Sequence, residues 1–217
     1  MTVTIRIVPC GHEIARMARC ATNSLRIASP FITKQGVKFI LATSIQPQII
    51  TKVTGANLAA KSLDAHSLES LLVLGASIRS IPNLHAKVYL VDDVEGLVTS
   101  SNLTGPGLLQ NVELGLHFVS EPAIFEAVSA FYDGLWKRAT PVTLESLDKL
   151  LAKLRSLNST KGVWSVKEPS ISPPVEKLVP APVIGYLDFP VSQPEAQPGH
   201  CQAIVLKKSL GVSWSGE

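Results

Sequence analysis

Residues 85–92 read HAKVYLVD, a run whose apolar centre, Val88 to Val91, reads as a buried strand although His85, Lys87 and Asp92 sit within it. Side chains alternate faces along a strand, so His85 and Lys87 share a face with Tyr89, whereas Asp92 falls on the other face with Val88 and Leu90. His85 and Lys87 are about 7 Å apart by the rise per residue, close enough to touch one ligand. Asp92 lies a whole strand length away, where a carboxylate more often caps a turn or forms a structural ion pair. At 99–102 stands TSSN, in which Ser100 and Asn102 again alternate onto a common face, and at 111–114 NVEL, which adds Asn111 and Glu113. Ser and Asn are poor strand formers, so their presence at a strand end calls for another reason.

Outward from this stretch, periodicity predicts strands over 2–8, 24–29, 37–42, 77–81, 85–92 and 96–100. A strand over 112–119 comes after a Gly-Pro-Gly turn at 105–107. Helical spacing is expected over 11–22, from Ser62 or Asp64 to Leu74, from Ser120 to about Arg138, and over 143–157, where Leu144, Leu147, Leu150, Leu151 and Leu154 fall on one side. The region between 43 and 61 is undecided. These elements make an α/β fold, a mixed β-sheet flanked by helices over residues 1–157. Beyond it lies a different composition: eight of the 15 prolines fall between Pro169 and Pro198, which precludes a regular helix or central strand there. Residues 158–217 are therefore expected to be a Pro-rich arm or linker whose end, QAIVLKKSLGVSW, adds a short strand to the core or to a partner.

The chain has 217 residues, of which 46% are hydrophobic and 17% charged, as in a cohesive globule. A formal net charge of +3 permits contact with a polyanion without requiring it. No apolar run reaches the ~18 residues of a membrane span, and MTVTIRIVPC does not resemble a secretory signal, so a cytoplasmic protein without stable membrane association is expected. Cys10, Cys20 and Cys201 are odd in number and form no CxxC pair, which speaks against a disulfide framework or a zinc site. His12-Glu13 opens like a zinc-protease motif, but Arg16 stands where a second His would be needed. His66, His117 and His200 have no companions at useful spacing, and Asp93 and Glu95 read as turn residues. Phe131, Tyr132 and Trp136 have the spacing of core or interface residues. No metal ligand set and no cofactor are expected.

A ring nitrogen, an ammonium, a hydroxyl, an amide and a carboxylate converging at one sheet edge suit phosphodiester chemistry. Lys87, Ser100 and Asn102 can hold non-bridging phosphate oxygens and stabilise charge as phosphorus becomes five-coordinate. His85 can attack phosphorus. Glu113 can accept from its other ring nitrogen.

These residues resemble the phospholipase D superfamily, with its HxKx4D and GSxN signature. His85, Lys87 and Asp92 match the first part, Ser100 and Asn102 the second. Thr99 stands where the family has Gly, which lets a ligand approach more closely than Thr does. The spacings to Ser100, Asn102 and Glu113, and IASPFIT at 27–33, are similar to those of the compact bacterial nuclease branch. The resemblance covers roughly residues 1–140. It implies two motifs facing one another, whereas this chain carries one. The resemblance thereby implies a homodimer joined through the active-site face, with one His85 as nucleophile and the other as general acid and base. The implied function is a metal-independent nuclease working through a phosphohistidine, with DNA favoured over RNA. Two other readings are a phospholipid phosphodiesterase or transphosphatidylase, and an inactive dimer that binds phosphate backbones. Asn102 and Asn158 begin glycosylation sequons of little weight without a secretory signal.

Overall fold

The computed structural model describes residues 2–6, 10–159 and 203–206. In chain order the elements are β1 (Thr2–Arg6), α1 (Gly11–Cys20), β2 (Leu25–Ala28), α2 (Lys34–Val37), β3 (Gln48–Thr51), α3 (Gly55–Ala59), α4 (Ala65–Val73) and β4 (Ser77–Ser80). They continue with β5 (Val88–Val91), β6 (Glu95–Thr99), α5 (Gly105–Leu109), β7 (Gly115–Val119), α6 (Pro122–Arg138), β8 (Thr140–Val142), α7 (Leu144–Ser159) and β9 (Ala203–Leu206). The strands form one mixed sheet in the order β8-β4-β3-β2-β5-β6-β7-β1-β9. β2, β3 and β4 are mutually parallel, and every other pairing is antiparallel.

Each face of the sheet has its own core. Ile14 and Met17 of α1, Leu68 and Leu71 of α4 and Leu147 and Leu150 of α7 pack on one side with Ile27, Ile49, Tyr89 and Leu97. Phe125, Tyr132 and Leu135 of α6 cover the other, against Ala28, Ile50, Val88, Leu90 and Phe118. β5 lies between β2 and β6, and its four residues are all buried. That burial on both faces explains why VYLV is continuously apolar rather than alternating. Each such side chain contributes about 1.5–3 kcal/mol, enough to anchor a strand whose approach carries Lys87. Among the described residues, no helix is long and apolar enough to cross a membrane.

Three local expectations give way to the structure. The segment 37–42 is not a strand: Thr33 caps α2 by accepting from Gly36 N at 3.4 Å, and the chain continues through turns. Val37 and Ile40 are buried three residues apart, a helical spacing that the apolar run concealed. The missing strand is β3, in the undecided region. The Gly-Pro-Gly segment is the first turn of α5, capped by Thr104, whose hydroxyl accepts from Gly107 N at 3.2 Å, with Pro106 where its absent N–H costs nothing. β7 starts only at Gly115, leaving 111–114 as a loop. The Pro-rich stretch lies outside the described residues, and of the expected final strand Ala203–Leu206 pairs antiparallel with β1.

Candidate active site

The hairpin of β5 and β6 decides which residues meet. Its turn is tight, with Asp92 and Asp93 both left-handed at φ 51° and 55°, and it pairs Val91 with Glu95 and Val88 with Val98. The approach to β5 therefore runs beside the exit of β6, and Thr99 N donates to Lys87 O at 3.0 Å. β7 pairs Gly115 with Thr99, which brings Glu113 to the same end of the sheet. His85, Lys87, Ser100, Asn102 and Glu113 thus gather where β5 begins, β6 ends and β7 begins. Asp92 is at the other end of the hairpin, about 16 Å from Lys87 by strand rise.

Within the cluster, Lys87 Nζ lies 3.4 Å from His85 Nδ1 and donates to His85 O at 2.7 Å. His85 is exposed, while Lys87 is 7% exposed. Burial lowers the Lys87 pKa from its ordinary value, and the Glu113 carboxylate partly offsets that effect. Ser100 Oγ donates to Glu113 Oε2 and accepts from Leu114 N at 3.1 Å. Asn111 Nδ2 donates to Glu113 Oε1 at 3.1 Å. Both oxygens of Glu113 are thereby engaged by Ser100 and Asn111, not by the His85 ring, because β6 lies between β5 and β7 within the chain. Asn102 keeps a buried amide oxygen with no hydrogen-bond partner. Leaving such a group unpaired costs roughly 1–3 kcal/mol, and only a hydrogen-bond donor relieves it.

The loop carrying Asn102 is held from below. Leu103 N donates to Ser29 Oγ at 2.9 Å, Thr33 N to Leu103 O at 3.1 Å, and Tyr89 OH to Ser101 O at 3.3 Å. Burial raises the Tyr89 pKa, so its hydroxyl stays a neutral donor. A Cβ on Gly36 would lie 1.9 Å from Leu103 O, so glycine is needed for α2 to approach this loop.

Asp92 ties the turn between β5 and β6 to the segment before β2. Its Oδ2 accepts from Thr22 N at 2.8 Å and Thr22 Oγ1 at 2.9 Å, and its Oδ1 from Asn23 N and Ser24 N, each at 2.8 Å. Burial is the largest single effect and works against the charge, but the bonds from Ser24, Asn23 and Thr22 together outweigh it and hold the carboxyl below its usual range. At the same end, sequence reasoning missed an ion network. His117 Nε2 lies 2.6 Å from Glu95 Oε1, Arg6 pairs with Glu13 at 3.0 Å, and Arg16 contacts both Glu13 and Glu95. Glu13, Glu95 and His117 place ligand atoms within 4.8 Å of one another, yet Arg16 and Arg6 already neutralise the carboxylates. The spacing of Glu13 and Arg16 along α1 was the available signal, but their partners on β6 and β7 become neighbours only through sheet register.

Comparison with known proteins agrees with this geometry. Residues 14–136 match the family model described as cardiolipin synthase, PLD-like domain. The fold is similar to that of Nuc from Salmonella typhimurium, a phospholipase D family member, with a TM-score of 0.56 and 19% identity over 64% of this chain and 97% of that one. It is also similar to NucT from Helicobacter pylori, with a TM-score of 0.54 and 16% identity over 64% and 98% of the two chains. No curated protein matches the chain. With more than half its length inside the matched domain, and His85, Lys87, Ser100 and Asn102 at one end of the central strands, the chain belongs to the phospholipase D-like family.

Proposed function

We propose that the protein is a metal-independent phosphodiesterase that hydrolyses nucleic-acid phosphodiester bonds, DNA in preference to RNA, with residues 1–157 as the catalytic unit. The observation that carries this reading is the pairing of an exposed imidazole with a buried lysine ammonium 3.4 Å away. An unprotonated ring nitrogen of His85 forms a bond to phosphorus while the P–O bond to the leaving group breaks. Lys87 and the Asn102 amide N–H hold the non-bridging oxygens, and Ser100 joins them when its single hydroxyl proton turns from Glu113 to the phosphate. Water then attacks the phosphohistidine, breaking P–N and restoring the ring.

The leaving oxygen needs a proton and the attacking water needs a base. One chain carries one such histidine, so the acid-base group is assigned to His85 of the partner subunit in a homodimer formed across this face. Support comes from the surface beside the site: Leu109, Val112 and Leu114 are exposed, Val112 by 90%, and they bracket Glu113. Apolar side chains so placed suit burial against a second subunit. The names of Nuc and NucT favour nucleic acid, whereas the matched domain's description keeps a lipid phosphodiester as the second reading.

The test is turnover of plasmid DNA, single-stranded DNA, RNA and phospholipid vesicles in excess EDTA, with His85→Ala as control. Cutting of DNA by the wild type alone is expected. Turnover of lipid without nucleic acid would replace the substrate, and loss of all turnover in EDTA would sink the metal-free mechanism.

A further inference from the structure

Thr99 closes β6 immediately before Ser100, with its side chain buried on the α1 side of the sheet, where it meets Cys10 at 3.6 Å. Its hydroxyl donates to Leu114 O at 3.0 Å and accepts from Ser101 N at 3.1 Å. Its backbone N–H is bound to Lys87 O at 3.0 Å. Thr99 therefore ties together the three segments that carry Lys87, Ser100 and Glu113. Ser100 lies between the bonded residues, donates its own N–H to Leu114 O at 2.9 Å and accepts Leu114 N on its hydroxyl. Room for the hydroxyl comes from Gly115, the residue opposite. A Cβ there would lie 3.3 Å from Thr99 Oγ1 and 3.0 Å from Leu97 Cδ1, both tight contacts.

We propose that Thr99 is a positioning residue, its hydroxyl fixing the Ser100–Glu113 pair against Lys87. The proposal rests on the phosphodiesterase reading of that site. Thr99 occupies the place of a glycine in the family signature, and the sequence alone suggests that it crowds the ligand. In the structure its side chain packs below the strand end, and the small residue needed for close packing stands across the sheet at Gly115. The hydroxyl binds groups on both sides of Ser100, so it controls where the Ser100 hydroxyl is held. It does not touch the phosphate.

The experiment compares full-length wild type, Thr99→Val and Thr99→Ser with bis(4-nitrophenyl) phosphate as the phosphodiester probe. Val keeps the shape and removes both hydroxyl bonds, while Ser keeps the hydroxyl. Thr99→Val is expected to lower kcat by about 10²-fold, the scale of a small misplacement at a reacting centre, with KM little changed. Thr99→Ser is expected to keep most of the wild-type kcat. Amide hydrogen exchange supplies a second measurement independent of turnover: Ser101 N and Leu114 N should exchange faster in Thr99→Val and stay protected in Thr99→Ser. Wild-type turnover combined with an unchanged kcat in Thr99→Val overturns the positioning role, as does an equal loss in Thr99→Ser. Unaltered protection of Leu114 N in Thr99→Val overturns it as well. A wild type that turns over no phosphodiester while these amides respond as expected overturns the phosphodiesterase reading instead.

Discussion

Replacing Asp92 by Asn separates a frame residue from a reacting one. Asn tolerates the left-handed backbone observed at φ 51°, so the substitution changes hydrogen bonding with little backbone strain. It keeps one acceptor oxygen and loses the other, so two of the four bonds from Thr22, Asn23 and Ser24 go. At roughly 0.5–1.5 kcal/mol net per bond, the expected loss is about 2 kcal/mol, since the site is partly exposed and water replaces some of what is lost. For a chain of this size that lowers Tm by about 4–8 °C. Asp92→Ala loses all four bonds and adds left-handed strain, for a total of about 4 kcal/mol.

The sign of the pH dependence comes from the depressed carboxyl pKa. Its contribution to stability is complete above the ordinary carboxylate pKa of about 4 and is lost as pH falls through the lower folded value. The Tm gap between wild type and Asp92→Asn should be constant from about pH 5 to neutrality and should narrow below about pH 4. The assays are thermal unfolding across this range and phosphodiester turnover well below Tm, where kcat should hold within about twofold because Asp92 touches no site residue. An unchanged Tm with a kcat down by about 10²-fold or more would show that Asp92 acts at the reaction, contrary to its place at the far end of the hairpin.

Lys87→Met should abolish turnover while leaving Tm equal or higher, because it removes a desolvated charge; a large fall in Tm in calorimetry contradicts that account. With the Lys87 pKa lowered, the wild type should lose kcat/KM on the alkaline side before an ordinary lysine would titrate, and should gain stability as pH rises through that same range. Val112→Glu puts a charge on a residue 90% exposed in the single chain, so the stability of that chain should change by less than about 0.5 kcal/mol. Sedimentation should nonetheless show a monomer without turnover; an active dimer would move the interface elsewhere.

Residue type and spacing singled out the candidate residues, but His85, Lys87, Ser100, Asn102 and Glu113 all lie just outside β5, β6 and β7, in the segments that enter and leave them, where strand periodicity does not reach. HAKVYLVD separates His85 and Lys87 from Asp92 by distance along the strand, and the structure places Asp92 in the turn at the far end of the hairpin. The helices α1, α4, α6 and α7 are legible from apolar spacing and, for α4, from the Asp64 cap, which accepts from Ser67 N at 3.0 Å. Misreadings arose where local patterns were short. VKFILA suited either period, and Gly-Pro-Gly served a helix start as well as a turn.

By itself the sequence marked His85, Lys87, Ser100, Asn102 and Glu113 as a candidate set and predicted an α/β sheet, because residue type, spacing and hydrophobic period are local properties. Only the tertiary structure decided which atoms meet. Strand order put β6 between His85 and Glu113, so that Glu113 turned to Ser100 and Asn111. Sheet register set Thr99 opposite Gly115, which made room for a side chain that the sequence suggested was out of place. It also joined His117 and Glu95 to Glu13 and Arg16 across two strands and a helix. Such pairings depend on register between segments distant in the chain, and no local pattern encodes that register.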